Sequence, residues 1–156
     1  MRIGVISDTH NFLDPAIPDL FGGVDHILHA GDVGQQRILM ELEEIAPVTA
    51  VGGNTDDPGF HFPHFESVTL EGWRFLLHHI VEPYRLSDTV AQRVKREHAR
   101  VVVFGHTHKP FRGNFHDVLY FNPGYAGKSR FGMPRSVAVL VLTPLEIQSE
   151  ILLLDP

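Results

Sequence analysis

Five short apolar runs in this chain each break off in a polar cluster. Residues 3–6 lead into Ser7-Asp8-Thr9-His10, and residues 26–30 into Gly31-Asp32. Residues 48–51 lead into Gly52-Gly53-Asn54, residues 73–77 into His78-His79, and residues 101–104 into Gly105-His106-Thr107-His108. A short apolar run bounded by turn formers reads as a buried strand. Polar groups just past buried strands belong at the carboxyl ends of an α/β sheet, where ligands gather.

The same kind of reading gives the remaining elements. Residues 35–45 place Ile38, Leu39, Leu42 and Ile45 on one helical stripe, which Pro47 stops. Residues 87–98 set Val90, Ala91 and Val94 against Arg93, Arg96 and Glu97. Residues 14–21 allow a short helix at most, because Pro15 and Pro18 limit it. Residues 65–70 and 73–77, joined by Glu71-Gly72, form a hairpin; 111–115, 118–121, 136–142 and 146–153 are β. Strand and helix alternate early and hairpins dominate later. This predicts one mixed α/β domain over residues 1–156, with helices outside two packed sheets.

Composition narrows the chemistry. A chain of 156 residues suits one domain with a sizeable core. It has no cysteine, which excludes disulfides, thiolate metal sites and cysteine catalysis. A formal net charge of -6 argues against nucleic acid as a stable partner, though not against a small phosphorylated substrate held by metal. No apolar stretch approaches the roughly 20 residues of a membrane span. Ser7-Asp8 also comes too soon for a secretion signal, so no membrane and a cytoplasmic location are expected.

The polar clusters hold oxygen and imidazole donors: Asp8, His10, Asp32, Asn54, His78 or His79, His106 and His108. Such donors suit Mn, Fe, Ni, Zn or Co. In extended chain, residues i and i+2 point the same way, so Asp8 and His10 can converge on one ion, and His106 and His108 can reach one site or two adjacent ones. Seven donors are too many for one ion and suit two that share a carboxylate. Each cluster alone also has a structural reading: a turn, a cap or a satisfied core histidine.

Together the stretches SDTH, HAGD, GGNTD, LLHH and FGHTHKP resemble the calcineurin-like metallophosphoesterase superfamily. Length and the stretch NPGYAGKSRFGMP resemble its small YfcE-like phosphodiesterase branch. The resemblance implies a four-layer αββα sandwich. It also implies a first metal held by Asp8, His10, Asp32 and His108, and a second held by Asp32, Asn54, His78 and His106. Asp32 would bridge, and the catalytic set would include Asp32, Asn54 and His78. The implied cofactors are two divalent ions, Mn²⁺ first, with Ni²⁺, Fe, Zn²⁺ and Co²⁺ as alternatives. The implied reaction is hydrolysis of a small phosphodiester by a metal-activated hydroxide, with the ions clamping both oxygens of an in-line displacement.

Two departures from the family pattern stand out. Many relatives have His after Gly-Asn, proposed to protonate the leaving oxygen; here Thr55-Asp56 comes after Asn54, with Asp56 as a candidate substitute acid. The pattern also has Gly after the fifth-strand His, where this chain has His79. His78 is therefore assigned as ligand by register, and His79 as an alternative or site-lining group. Arg130 is a candidate for phosphate contact or for a surface ion pair. His29 is expected on the opposite strand face from Asp32, packed and hydrogen-bonded. His61 and His64 are expected at the surface or on the cleft. Gly127-Lys128-Ser129 is no phosphate loop, because its first glycine position is Asn122. Phe12, Leu13, Phe60, Phe62 and Phe131 are expected as exposed apolar groups for a lid, a partner or a homodimer. The rival readings are a phosphomonoesterase or nucleotide phosphatase, and a non-catalytic scaffold such as the retromer subunit with this fold.

Overall fold

A computed structural model describes residues 1–57, 59 and 62–156; Phe60 and His61 lie outside the described residues. Two mixed five-stranded sheets pack face to face. The first has the order β10-β9-β1-β2-β3, from β1 (Arg2–Ile6), β2 (His26–His29), β3 (Val48–Ala50), β9 (Arg135–Leu142) and β10 (Ile147–Leu154). The second has the order β4-β5-β6-β8-β7, from β4 (Phe65–Leu70), β5 (Trp73–His78), β6 (Val101–Val103), β7 (Phe111–Phe115) and β8 (Val118–Asn122).

Parallel pairing joins β1 with β2 and β2 with β3 at one side of the first sheet, and β5 with β6 and β6 with β8 in the middle of the second. Parallel strands need crossovers; helices supply three of them, and the connection from β6 to β8 runs through β7. Helices α1 (Ile17–Leu20) and α2 (Gln36–Glu43) cover the first sheet, and α3 (Asp88–Arg96) covers the second. The expected αββα order is the one observed. Helix α3 starts where Ser87 accepts a hydrogen bond from the Val90 N–H at 3.3 Å, an N-cap. Helix α1 is a single turn, as its prolines require.

Strand alternation divides the side chains among three apolar layers. Ile3, Val5, Leu28, Ala30, Phe75, Leu77, Val101 and Val103 fill the space between the sheets. Ile6, Ile27 and Val139 meet α1 and α2, while Leu76, Val102 and Tyr120 meet α3. Leu13 and Phe62 pack against the first helical layer, so they are not the exposed groups expected. Phe12 is half-buried, with the Lys128 and Arg135 cations each 5.8 Å from its ring. Phe131 is fully exposed.

Gly4 shows how tightly α1 seats. A Cβ there would lie 2.9 Å from the ring of Phe21, which is fully buried on that face of β1. Gly4→Ala is expected to cost about 1–3 kcal/mol by overpacking. The urea midpoint of the variant should fall without a change in slope.

Candidate metal centre

The central strands stop short of their polar residues, and the chain beyond each strand end is turned rather than extended. Asp8, His10, Asp32, His106 and His108 all have left-handed backbones, with φ between 45° and 70°. Non-glycine residues seldom adopt this region, and it recurs where a site over-determines the backbone. Convergence of Asp8 with His10, and of His106 with its partners, therefore comes from sharp turns rather than from the alternation of a strand. The turns are stitched to one another: Asp8 N–H donates to Gly31 O, His10 N–H to Asp32 O and Asn11 N–H to Val33 O, each at 2.9 Å.

Glycines make this approach possible at two strand ends. A Cβ on Gly53 would run into Asp32 Oδ1, and one on Gly105 into Ser7 Oγ.

Two carboxylates stand at the junction of the sheets, Asp8 at 0% exposure and Asp32 at 2%. Asp8 Oδ1 lies 3.2 Å from His108 Nε2 and 3.7 Å from both His10 Nε2 and His79 Nε2. Asp32 Oδ2 lies 3.1 Å from His79 Nε2 and 3.6 Å from His10 Nε2. The outer oxygens are held by the protein. Asp8 Oδ2 accepts from Ser7 Oγ at 2.7 Å and from His106 N–H at 3.1 Å; Asp32 Oδ1 accepts from Thr55 N–H at 2.9 Å.

Burial alone would raise both carboxyl pKa values. For Asp8 the close imidazoles of His10 and His108 outweigh burial and hold the group well below the usual carboxylate range. For Asp32 the His79 ring and the Thr55 N–H do the same. Burial pushes the His79 imidazole down, but the two carboxylates raise it more.

Asn54 and His106 flank this pair on one side, with Asn54 Oδ1 3.1 Å from His106 Nδ1. His108 flanks the other, its ring 5.7 Å from that of His10. Two triplets bring their donor atoms close enough to hold an ion: Asp8, His10 and His108, and Asp8, Asp32 and His79. Asp8 Oδ1, His10 Nε2 and His79 Nε2 are buried without a hydrogen-bond partner. Such orphans cost about 1–3 kcal/mol each unless something satisfies them. A divalent ion fits this donor set.

One assignment is corrected. His78 does not face the carboxylates. Its ring stacks on Phe65 and its Nδ1–H donates to His64 O at 2.7 Å, and burial lowers its pKa. His79 faces the cluster instead, with its Nδ1–H donating to Ala30 O at 2.7 Å. That bond leaves Nε2 as the free lone pair, the arrangement common to metal-bound histidines. The signal lies in the alternation of residues 73–79. Arg74 must point outward, which sends Leu76 and His78 out and Phe75, Leu77 and His79 in.

Asp56 is not a spare acid. Its carboxylate accepts from Gly53 N–H at 2.7 Å, Gly34 N–H at 2.8 Å and Val33 N–H at 3.1 Å. It ties the loop of Asp32 to the loop of Asn54. His29 is fully buried in the expected supporting role. It accepts from Gly31 N–H at Nδ1, donates from Nε2 to Thr9 Oγ1 at 2.9 Å, and Thr9 donates on to Val33 O. Burial pushes His29 down to about 3. Sequence reasoning gives no role to Ser7, and none to Tyr125, whose buried ring lies 4.6 Å from that of His108. Arg130 is exposed, its guanidinium 5.9 Å from the Tyr125 ring.

Residues 1–144 match the calcineurin-like phosphoesterase superfamily domain. The chain belongs to that superfamily. A probable metallophosphoesterase of Methanothermobacter thermautotrophicus is 39% identical over 97% of this chain and 92% of its own. The phosphodiesterase YfcE of Escherichia coli K12 is 30% identical, covering 90% of this chain and 87% of that one. Vps29 of Entamoeba histolytica, solved with Zn²⁺, superposes with a TM-score of 0.76 at 18% identity over 98% of this chain and 99% of the other. A solved archaeal phosphodiesterase superposes with a TM-score of 0.74 at 24% identity, over 97% and 100%. The two structural likenesses show the calcineurin-like fold. No described helix of this superfamily member is long and apolar enough to cross a membrane.

After dialysis against Mn²⁺, His79→Ala is expected to lose bound metal while His78→Ala keeps the wild-type stoichiometry, read by elemental analysis. Asp56→Ala should weaken metal affinity about 10–100-fold, as loss of an outer-shell partner does. His29 gives a pH prediction. The unfolded ring takes a proton near 6.5 and the folded ring only near 3, so folding loses stability as pH falls through that window. In His29→Gln, urea midpoints measured between pH 7 and pH 4 should fall less steeply.

Proposed function

We propose that the protein is a dimetal phosphodiesterase. The observation that carries the reading is the set of orphaned donors: Asp8 Oδ1, His10 Nε2 and His79 Nε2, buried together around two ionised carboxylates. Asp8, His10, Asp32 and His108 would hold one ion, and Asp32, Asn54, His79 and His106 the other, with Asp32 shared. The metal pair, when bound, supplies Lewis acidity toward the phosphoryl oxygens and lowers the pKa of a water toward about 7.

The chain's own residues set the rest. Asn54 adds a donor without adding a negative charge that would repel a phosphate. Ser7 and the His106 N–H hold Asp8 in place, and Thr55 N–H holds Asp32, so neither carboxylate must reorganise when charge builds on phosphorus. Arg130 at the cleft edge offers its charge to a phosphoryl oxygen. No histidine directly follows Asn54, and Asp56 is committed to three N–H groups. The leaving oxygen therefore has no obvious proton donor, which favours stable leaving groups such as nitrophenolate over alkoxides. The relatives named phosphodiesterases support the diester over the monoester.

The purified protein with added Mn²⁺ or Ni²⁺ is expected to hydrolyse bis-p-nitrophenyl phosphate faster than p-nitrophenyl phosphate. Asp32→Ala should lose at least about 100-fold, the scale of a major electrostatic contributor. A clear preference for the monoester would replace the phosphodiesterase reading with a phosphatase. Hydrolysis of neither ester above the Asp32→Ala level would leave the fold as a scaffold.

A further inference from the structure

The metal centre leaves His78 over. His78 and His79 leave the end of β5 on opposite faces, so the outward ring stands one residue from the inward one. The His78 ring lies flat on Phe65, with 3.8 Å between centroids and 6° between planes. The Arg93 guanidinium lies 4.7 Å from the same Phe65 ring. Both groups therefore contact the one ring. His78 and Phe65 form a stacked pair, with the His78 orientation fixed by the Nδ1–H bond to His64 O.

This stack lines a groove of about 820 Å³ between the end of β5, the loop after it and the first turn of α3. Ile80 and Leu86 give it apolar walls, and Glu82 is its one acid among the described residues. Arg85 lines it too, and the Arg85 side chain has no hydrogen-bond, ion-pair or ring partner among the described residues. The volume is in the range of small-molecule sites. A stacked ring favours another planar ring, and an unpaired guanidinium favours an anion. The groove adjoins the metal centre along the chain: its lining residues His78 and Ile80 flank His79.

We infer that this groove receives the substituent that stays on phosphorus, and that this substituent is a planar ring carrying a negative charge. The inference rests on the phosphodiesterase reading and names its substrate class.

Three diesters that share a p-nitrophenolate leaving group test it, with methyl, phenyl or 4-carboxyphenyl as the retained arm. Dividing each wild-type kcat/KM ratio by the same ratio in a groove variant removes the intrinsic reactivity of the ester. The phenyl-to-methyl ratio should be about tenfold higher in wild type than in His78→Ala, the lower end of what base stacking contributes. The carboxyphenyl-to-phenyl ratio should fall several-fold in Arg85→Gln. Titration with 4-carboxyphenyl phosphate, followed by NMR of the His78 ring protons, reads the groove without turnover. Hydrolysis with unchanged ratios and no shift at His78 overturns the groove and leaves the phosphodiesterase standing. Absent hydrolysis with a shift at His78 that Arg85→Gln weakens keeps the groove and removes the phosphodiesterase. Absence of both removes both.

Discussion

Two ionised carboxylates buried side by side are the constraint on which this structure turns. Asp8 and Asp32 sit where two sheets meet, sealed from water and aimed at the same imidazoles. Like charges in such a place repel strongly, and the interior offers little screening. The protein offsets part of that with three hydrogen bonds to the outer oxygens and leaves Asp8 Oδ1 unsatisfied. Burial without satisfaction is costly, and its persistence at a cluster of nitrogen and oxygen donors argues for a cation as the missing partner.

The fold makes the arrangement possible. Each candidate ligand lies just past an apolar strand that is anchored in one of the three side-chain layers. The left-handed turns that present the candidate ligands are strained one by one, but they are laddered through backbone hydrogen bonds between the loops after β1 and β2. Asp56 adds a second brace between the loops after β2 and β3. Rigid strands, then, hold turns that an isolated peptide would not keep.

Much of this is legible in the residues. The strand runs, the helix at Ile38 and Leu42, and the sandwich emerge from hydrophobic period alone, because burial enforces it. Donor types and their order mark a metal site, because few other roles place Asp, Asn and His after buried strands. Geometry beyond the strand ends escapes the sequence. Asp8 and His10 meet through positive φ, which no periodicity encodes. Asp56 reads as an acid by composition and acts as a brace, since its three donors come from backbone of distant loops. Tyr125 is separated from His108 by a whole hairpin, and only the fold brings their rings together. The motif pattern favours His78 over its neighbour, although alternation in the strand points the other way.

Adjacent histidines are chemically equal, and nothing local decides between them. The decision is made at the far end of β5, where Arg74 points outward to Glu97 and Thr69 while Trp73 packs toward the core. Five residues of extended chain, roughly 16 Å, carry that choice to the candidate metal centre. The strand acts as a ruler with its zero mark at the opposite rim. A change there, nowhere near the ligands, would trade one imidazole for the other.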